Sequence, residues 1–396
     1  MSIRRTSPEL VAIYDPSKAY NGYTLFTPAG AGNVWLVDMQ GRFVHRWEMP
    51  YRPGDYGVML PNGHLLYAGK IIPGPLTEFG GFGGVLLEAD WDGTIVWEYE
   101  DPYLHHDFCR MDNGNTMVLR WVAVPASIAS RIKGGVPRTE RDGVIWTDSF
   151  QEITPSGDVV WEWLGYEHLD PAVEVICPLC SRKEWTHANS CFVLHNGDIM
   201  TAFRRTDTIA IIDKSTGDIK WRWGVGELAH PHDPSLLDNG NILVFDNGFH
   251  RRLCPTSYSR VVEVNPNTGK IEWEYKEDPP VLFYGSFISG CQRLSNGNTL
   301  ICEGPVGRIF EVTGNGELVW EFLSPFYYYI EGFGKTNQIF RAYRYGSEWE
   351  GLKAKTLDPD RFEWVLQEKG KPGAPQIYPP SDEEKTVHDR LTRLGY

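Results

Sequence analysis

Apolar and polar residues alternate with a period of two through most of the chain, and Gly, Asn and Asp turns break the alternation into short runs. Five runs share one design: "WDGTIVWEYE", "PSGDVVWEWL", "STGDIKWRWG", "NTGKIEWEYK" and "GNGELVWEFL". In each, a glycine is followed four residues later by Trp97, Trp161, Trp221, Trp273 or Trp320. Two residues further on stands a second aromatic, Tyr99, Trp163, Trp223, Tyr275 or Phe322, so both rings lie on one face of a strand. A looser sixth copy, "MQGRFVHRWEMP", has His45 and Trp47 at these places. The six glycines are spaced by 52, 64, 60, 52 and 47 residues. No 3.6-residue periodicity accompanies the repeat, which excludes a helical solenoid.

Ahead of five copies an Asn-Gly pair feeds a short apolar strand, as in "PNGHLLYAG" and "DNGNILVFD". The pair predicts a tight hairpin in which both residues take positive φ. Each repeat then reads as four antiparallel strands, the size of a propeller blade. The fold class predicted is an all-β, six-bladed β-propeller. Its first blade lacks the Asn-Gly hairpin and is completed by a C-terminal strand, "NQIFRAYRY", residues 337–345. This divides the chain into an N-terminal arm (1–20), the propeller (21–345) and a C-terminal extension packing on it (346–396). The extension would carry a short helical strap with a Ser381/Glu384 capping box.

Composition narrows the function. With 41% hydrophobic residues and 15 Trp the chain has the material for a large core. A net charge of −14 without a basic run argues against nucleic acid or an anionic membrane surface as partner. The start, "MSIRRTSPELVAIYDPSKAY", has no apolar signal core, and no segment has the length of a membrane span, so a soluble, cytoplasmic protein is expected. Seven cysteines, an odd number, fit reduced thiols. Cys177 and Cys180, in "CPLC", have metal or redox spacing with His187 and Cys191 downstream, but no second Cys-x-x-Cys exists. That favours loop cysteines over a disulfide or a structural zinc, and the state of Cys177, Cys180 and Cys191 stays open.

The repeats also bring polar residues into register. Seven residues before each Asn of the Asn-Gly pairs stand Asp55, His106, Asn189, His232 and Ser289, with His187 two residues ahead of Asn189. On inner strands of a propeller these would converge on one site. The long insertion from Trp121 to Trp146 would either cover it or form a surface loop. Acidic residues before the Gly turns, as in "VVEVNPNTG", read as turn formers.

Three segments, "WTHANS", "HDPSLLDNGNILVFDNG" and "YSRVVEVNPNTGKIEWEY", resemble the arylsulfate sulfotransferases over about residues 21–345. The resemblance implies a six-bladed propeller that moves a sulfuryl group between phenols without a cofactor. It implies sulfate binding by His187, His232 and Arg260, and a nucleophilic histidine in a later blade. Here no histidine occurs between His250 and His388, and the matching register position is Ser289. Three readings follow. In one, an enzyme for a small anionic, aromatic substrate uses His187, His232 and Arg260 as a clamp and His106 as acid or nucleophile, with Asp55, His105, Asn189, Ser289 and Glu303 lining the site. In another, a metal-dependent hydrolase or lyase holds a divalent transition metal with His106, His187 and His232 and either Asp55 or Glu303. In the last, the propeller only binds a ligand or partner.

Overall fold

The computed structural model describes residues 10–252, 254–330, 334–367 and 376–378. Its strands form six antiparallel four-stranded blades, a six-bladed propeller. The chain divides into two compact units, Tyr103–Phe287 and the pair of segments Met1–Pro102 and Ile288–Tyr396.

In the unit formed by both termini, the first blade pairs Ile339–Gly346 with Gly22–Pro28, Asn33–Val37 and Phe43–Glu48. The C-terminal strand therefore completes this blade, as the sequence predicts. The second blade is Pro53–Met59, Leu65–Lys70, Gly84–Ala89 and Ile95–Glu100. The sixth is Gly290–Arg293, Thr299–Glu303, Arg308–Val312 and Leu318–Leu323, with Val11–Tyr14 added as a fifth, outer strand. Beyond the last blade strand, Leu352, Phe362 and Val365 join the apolar cores of this unit. The Ser381/Glu384 capping box and the strap lie outside the described residues. Among those residues no helix is long and apolar enough to cross a membrane.

The other unit holds the third blade (Leu104–Arg110, Thr116–Ala123, Trp146–Ile153, Val159–Leu164) and the fourth (Phe192–Val193, Ile199–Phe203, Thr208–Ile212, Ile219–Trp223). The fifth is His232–Leu236, Ile242–Asp246, Arg260–Val264 and Ile271–Tyr275. The insertion after Trp121 contributes a strand, Gly134–Val136, that pairs in parallel with Ile176–Ser181.

The repeated aromatics have a physical reason. Trp161 and Trp221 each donate Nε1–H to a turn carbonyl of the next blade, that of Lys214 and of Pro266, both at 3.0 Å. Trp320 does the same to Met39 at 2.8 Å, and Trp47, at the second aromatic place, to Asp90 at 3.0 Å. Each such ring thus buries apolar area and clips its outer strand to the neighbouring blade.

The Asn-Gly turns differ from the tight hairpin expected. The glycines have φ between 81° and 88°, but no asparagine among the described residues has a positive φ. Instead each Asn side chain accepts from the main-chain N–H two residues on, as Asn62 does from His64 at 2.9 Å and Asn239 from Asn241 at 2.9 Å. Only the glycine enters the left-handed region, so these are longer turns closed by an Asx bond. A third-strand glutamate steadies several of them: Glu152, Glu263 and Glu311 accept from Asn115, Asn241 and Asn298 at 2.6, 2.7 and 2.7 Å.

Candidate active site

The inner strands are irregular at the register positions. In the third blade Leu104 pairs with Arg120 and Phe108 with Val118, so four steps on the inner strand face two on its partner. In the fifth, three steps from His232 to Ser235 face two from Phe245 to Leu243. Such bulges re-aim side chains out of the sheet and collect next to functional sites. Left-handed backbone accompanies them at His106 (φ 51°) and Asp233 (φ 54°), and it also occurs ahead of the fourth- and sixth-blade inner strands at His187 (φ 55°) and Ser289 (φ 86°). A non-glycine residue pays about 1 kcal/mol or more for that conformation, so neighbouring packing must hold it.

In the unit Tyr103–Phe287 three imidazoles meet. His105 Nδ1 lies 2.8 Å from His106 Nδ1, and the His106 and His187 ring centroids are 4.6 Å apart. His105 stacks on Trp121 at 4.3 Å, and its Nε2 stands 3.4 Å from Asp148 Oδ1. The other Asp148 oxygen accepts from Thr186 Oγ1 and, at 2.9 Å, from the Ala188 N–H. His187 Nδ1 is paired with Glu184, whose second oxygen is 3.3 Å from Arg205 Nη2. The Glu184 carboxylate fixes the proton of His187 on Nδ1 and leaves Nε2 as the basic nitrogen. His232 is oriented in the same sense: its Nδ1 faces Asn247 Oδ1 at 2.6 Å, while the Asn247 amide nitrogen donates to Gly285 O at 2.6 Å. Asn189 ties the fourth blade to the fifth by donating to Pro231 O at 2.8 Å.

Burial dominates the electrostatics. It pushes His105 down to about 3 and His187 down to about 4, although Glu184 pulls both the other way. Both imidazoles are therefore neutral near pH 7. Burial also works against ionisation of Glu184, but His187 and Arg205 outweigh it and hold the carboxyl well below its usual range. Asp148 is raised by burial to about 7, with Thr186 and Ala188 opposing.

The predicted arginine is occupied. Arg260 donates to Asp246 at 2.7 Å, Glu274 at 2.7 Å and the Glu227 carbonyl at 2.8 Å. Arg204 differs: among the described residues its guanidinium makes no hydrogen bond, lying 5.7 Å from the Phe249 ring, while its N–H donates to His187 O at 3.2 Å. Burial lowers it only to about 10, so it remains a cation. Asp55, Ser289 and Glu303 belong to the other unit. Asp55 is half-buried on an inner strand, Ser289 Oγ accepts from the Gly304 N–H at 3.0 Å, and Glu303 lies 3.3 Å from Arg308.

The thiols of Cys177 and Cys180 meet not His187 or Cys191 but His230 and His250, with all four donor atoms within 4.8 Å of one another. Cys191 instead anchors its backbone, donating N–H to Asp107 at 2.7 Å. Sequence spacing missed Glu184, Asp148, Arg204, His230 and His250. The one signal present was Glu184 three residues ahead of His187.

The sequence pattern of the arylsulfotransferase (ASST) family matches residues 13–319. The chain belongs to the arylsulfotransferase family. No curated protein matches it. Among solved structures, this arylsulfotransferase-family chain is similar to a Bacteroides caccae protein of unknown function, at 13% identity and a TM-score of 0.52, covering 81% of this chain and 98% of that one. A streptogramin B lyase matches at 13% identity and 0.44 over 82% and 85% of the two chains. Virginiamycin B lyase from Staphylococcus aureus matches at 11% and 0.44 over 79% and 87%. At these identities the likeness is one of fold.

Proposed function

We propose that this protein transfers the sulfuryl group of a small aromatic sulfate ester and does so with histidines of its third and fourth blades. The observation that supports this most is the His187–Glu184 pair beside His106. An imidazole held neutral by burial, with its Nδ1 proton directed at a carboxylate, presents a nucleophilic Nε2. In the first step Nε2 of His187 attacks sulfur, an N–S bond forms and the S–O ester bond breaks. The departing phenolate takes a proton from His106, which recovers it along His105 and Asp148, a carboxyl whose titration near 7 suits that exchange. In the second step an acceptor phenol loses its proton by the same route, its oxygen attacks sulfur, and the N–S bond breaks. Arg204, a half-buried cation beside the His187 main chain, would hold the sulfuryl oxygens. His232, with Nδ1–H on Asn247 and Nε2 protonated, would serve as a second contact to the anion.

The test is incubation with 4-nitrophenyl sulfate and a phenol, followed by mass spectrometry of the quenched protein. A sulfuryl adduct on His187, absent in His187→Ala, is expected. An adduct on Ser289, or undiminished transfer by both His187→Ala and His106→Ala, would refute the assignment.

A further inference from the structure

We propose that Cys177, Cys180, His230 and His250 bind one Zn²⁺ in a closed tetrahedral site that joins the segment bearing Glu184 and His187 to the segment bearing His232. The four residues come from three separate stretches of chain, yet their donor atoms all lie within 4.8 Å of one another, close enough to share one ion. Cys180 Sγ is 3.1 Å from His230 Nε2 and 3.8 Å from His250 Nδ1, and Cys177 Sγ is 3.4 Å from His250 Nδ1. Zinc with sulfur at about 2.3 Å and nitrogen at about 2.0 Å sets sulfur–nitrogen edges of about 3.5 Å. Two thiolates and two imidazoles select zinc over the hard cations. Two thiol protons leave on binding, and two thiolates neutralise the ion, which suits a largely buried place.

A second observation points the same way. His230 turns Nε2 to the sulfur and Nδ1 toward Asp207, whose Oδ1 stands 3.3 Å away and also accepts the His230 N–H at 2.9 Å. A carboxylate behind a ligating imidazole fixes the tautomer that presents Nε2 to a metal. His250 is held from the other side by Phe249, with ring centroids 3.8 Å apart. The thiols ride on Ile176–Ser181, which pairs with the insertion strand Gly134–Val136 and is tied down by Arg205, whose Nη1 donates to Ser181 Oγ at 3.1 Å. All four vertices are filled by protein, so the ion would cross-link rather than activate water. Cys180 lies four residues before Glu184, His230 two before His232, and His250 three after Asn247. The site therefore acts on the placement of the active-site groups, and its existence is independent of the reaction assigned to them.

Elemental analysis of the full chain, purified under reducing conditions and equilibrated with Zn²⁺ before desalting, should give about one zinc per chain. Replacement by Co²⁺ should give tetrahedral d–d bands and the sulfur-to-cobalt charge transfer of two thiolates. Cys180→Ser and His230→Ala should lose the metal, while Cys191→Ser and His187→Ala should keep it. Asp207→Asn should weaken zinc about 10- to 100-fold in competition with a chelator. Absence of zinc in the reduced wild-type protein would overturn the proposal. So would zinc retained by the Cys177→Ser/Cys180→Ser variant, or lost in His187→Ala but kept in His230→Ala. If the ligand variants do not fold, the wild-type cobalt spectrum decides, because a spectrum without thiolate charge transfer rules the site out.

Discussion

The fourth blade and the sixth treat an arginine at the corner between their second and third strands in opposite ways. In the sixth, Arg308 starts the third strand and is braced by Glu303 at 3.3 Å and by Glu321 of the outer strand at 2.6 Å. The fifth blade repeats that brace, with Arg260 held by Asp246 and by Glu274. Two blades sharing one carboxylate–arginine–carboxylate layout identify it as architecture, and Arg260 falls within it. In the fourth blade the corresponding second strand ends at Phe203, the third starts at Thr208, and Arg204 and Arg205 fill the turn between them. Arg205 goes to Glu184, and Arg204, although Glu184 and Asp207 act on its charge through space, makes no ion pair among the described residues. A guanidinium paired on two sides braces its blade and cannot be removed without leaving buried charges behind, whereas a half-buried one with no ion pair of its own is suited to receive an anion. The difference separates scaffold from site.

The sharpest way to break this comparison is His187→Ala, for which aryl sulfate turnover should fall about 10²- to 10⁴-fold while the melting temperature stays within a few degrees. Equal losses of turnover and of stability would place His187 in the scaffold. Next in size, Arg308→Met should cost about 3–5 kcal/mol, measured from urea midpoints, because Glu303 and Glu321 are left as uncompensated buried charges. Arg204→Met should change stability by less than about 1 kcal/mol yet lower turnover about 10²-fold. The reverse ranking would undo the distinction between the blades.

A smaller effect concerns pH. His45 stacks on Trp91 at 3.8 Å, and burial lowers it from 6.5 to about 4. The unfolded chain takes up a proton below about 6.5 while the folded chain stays neutral until about 4. Stability is therefore complete above 6.5 and declines as pH falls through this window, by up to about 3 kcal/mol. His45→Phe should flatten that part of the stability–pH curve, and an unchanged slope would exclude His45 as its source. Smallest of all, Trp161→Phe removes the bond to the Lys214 carbonyl and should cost about 1 kcal/mol in urea titrations.

Strand repeats, blade count and the closing strand near residue 340 were legible because each depends on local chemistry. Period-two alternation, a glycine able to enter the left-handed region and an aromatic four residues later act within a dozen positions. Even there the Asn-Gly turns were read too tightly, since the asparagine side chain captures the N–H two residues on and spares its own backbone a positive φ. The register pointed to His106 and the His187 neighbourhood, where the backbone turns left-handed. It carried no information on what each group meets once the blades stack. The partners of Arg260 lie 14 residues away on either side, on adjoining strands, so their choice depends on strand register rather than on residue type. Cys177 and His250 are 73 residues apart, and the tautomer of His232 depends on Asn247, 15 residues later. By itself the sequence determined which segments become strands and how the blades repeat, because those preferences are short-ranged. Which buried charges are paired, which imidazoles touch and where the thiols converge was decided by tertiary structure, because these interactions depend on distance and desolvation between groups remote along the chain.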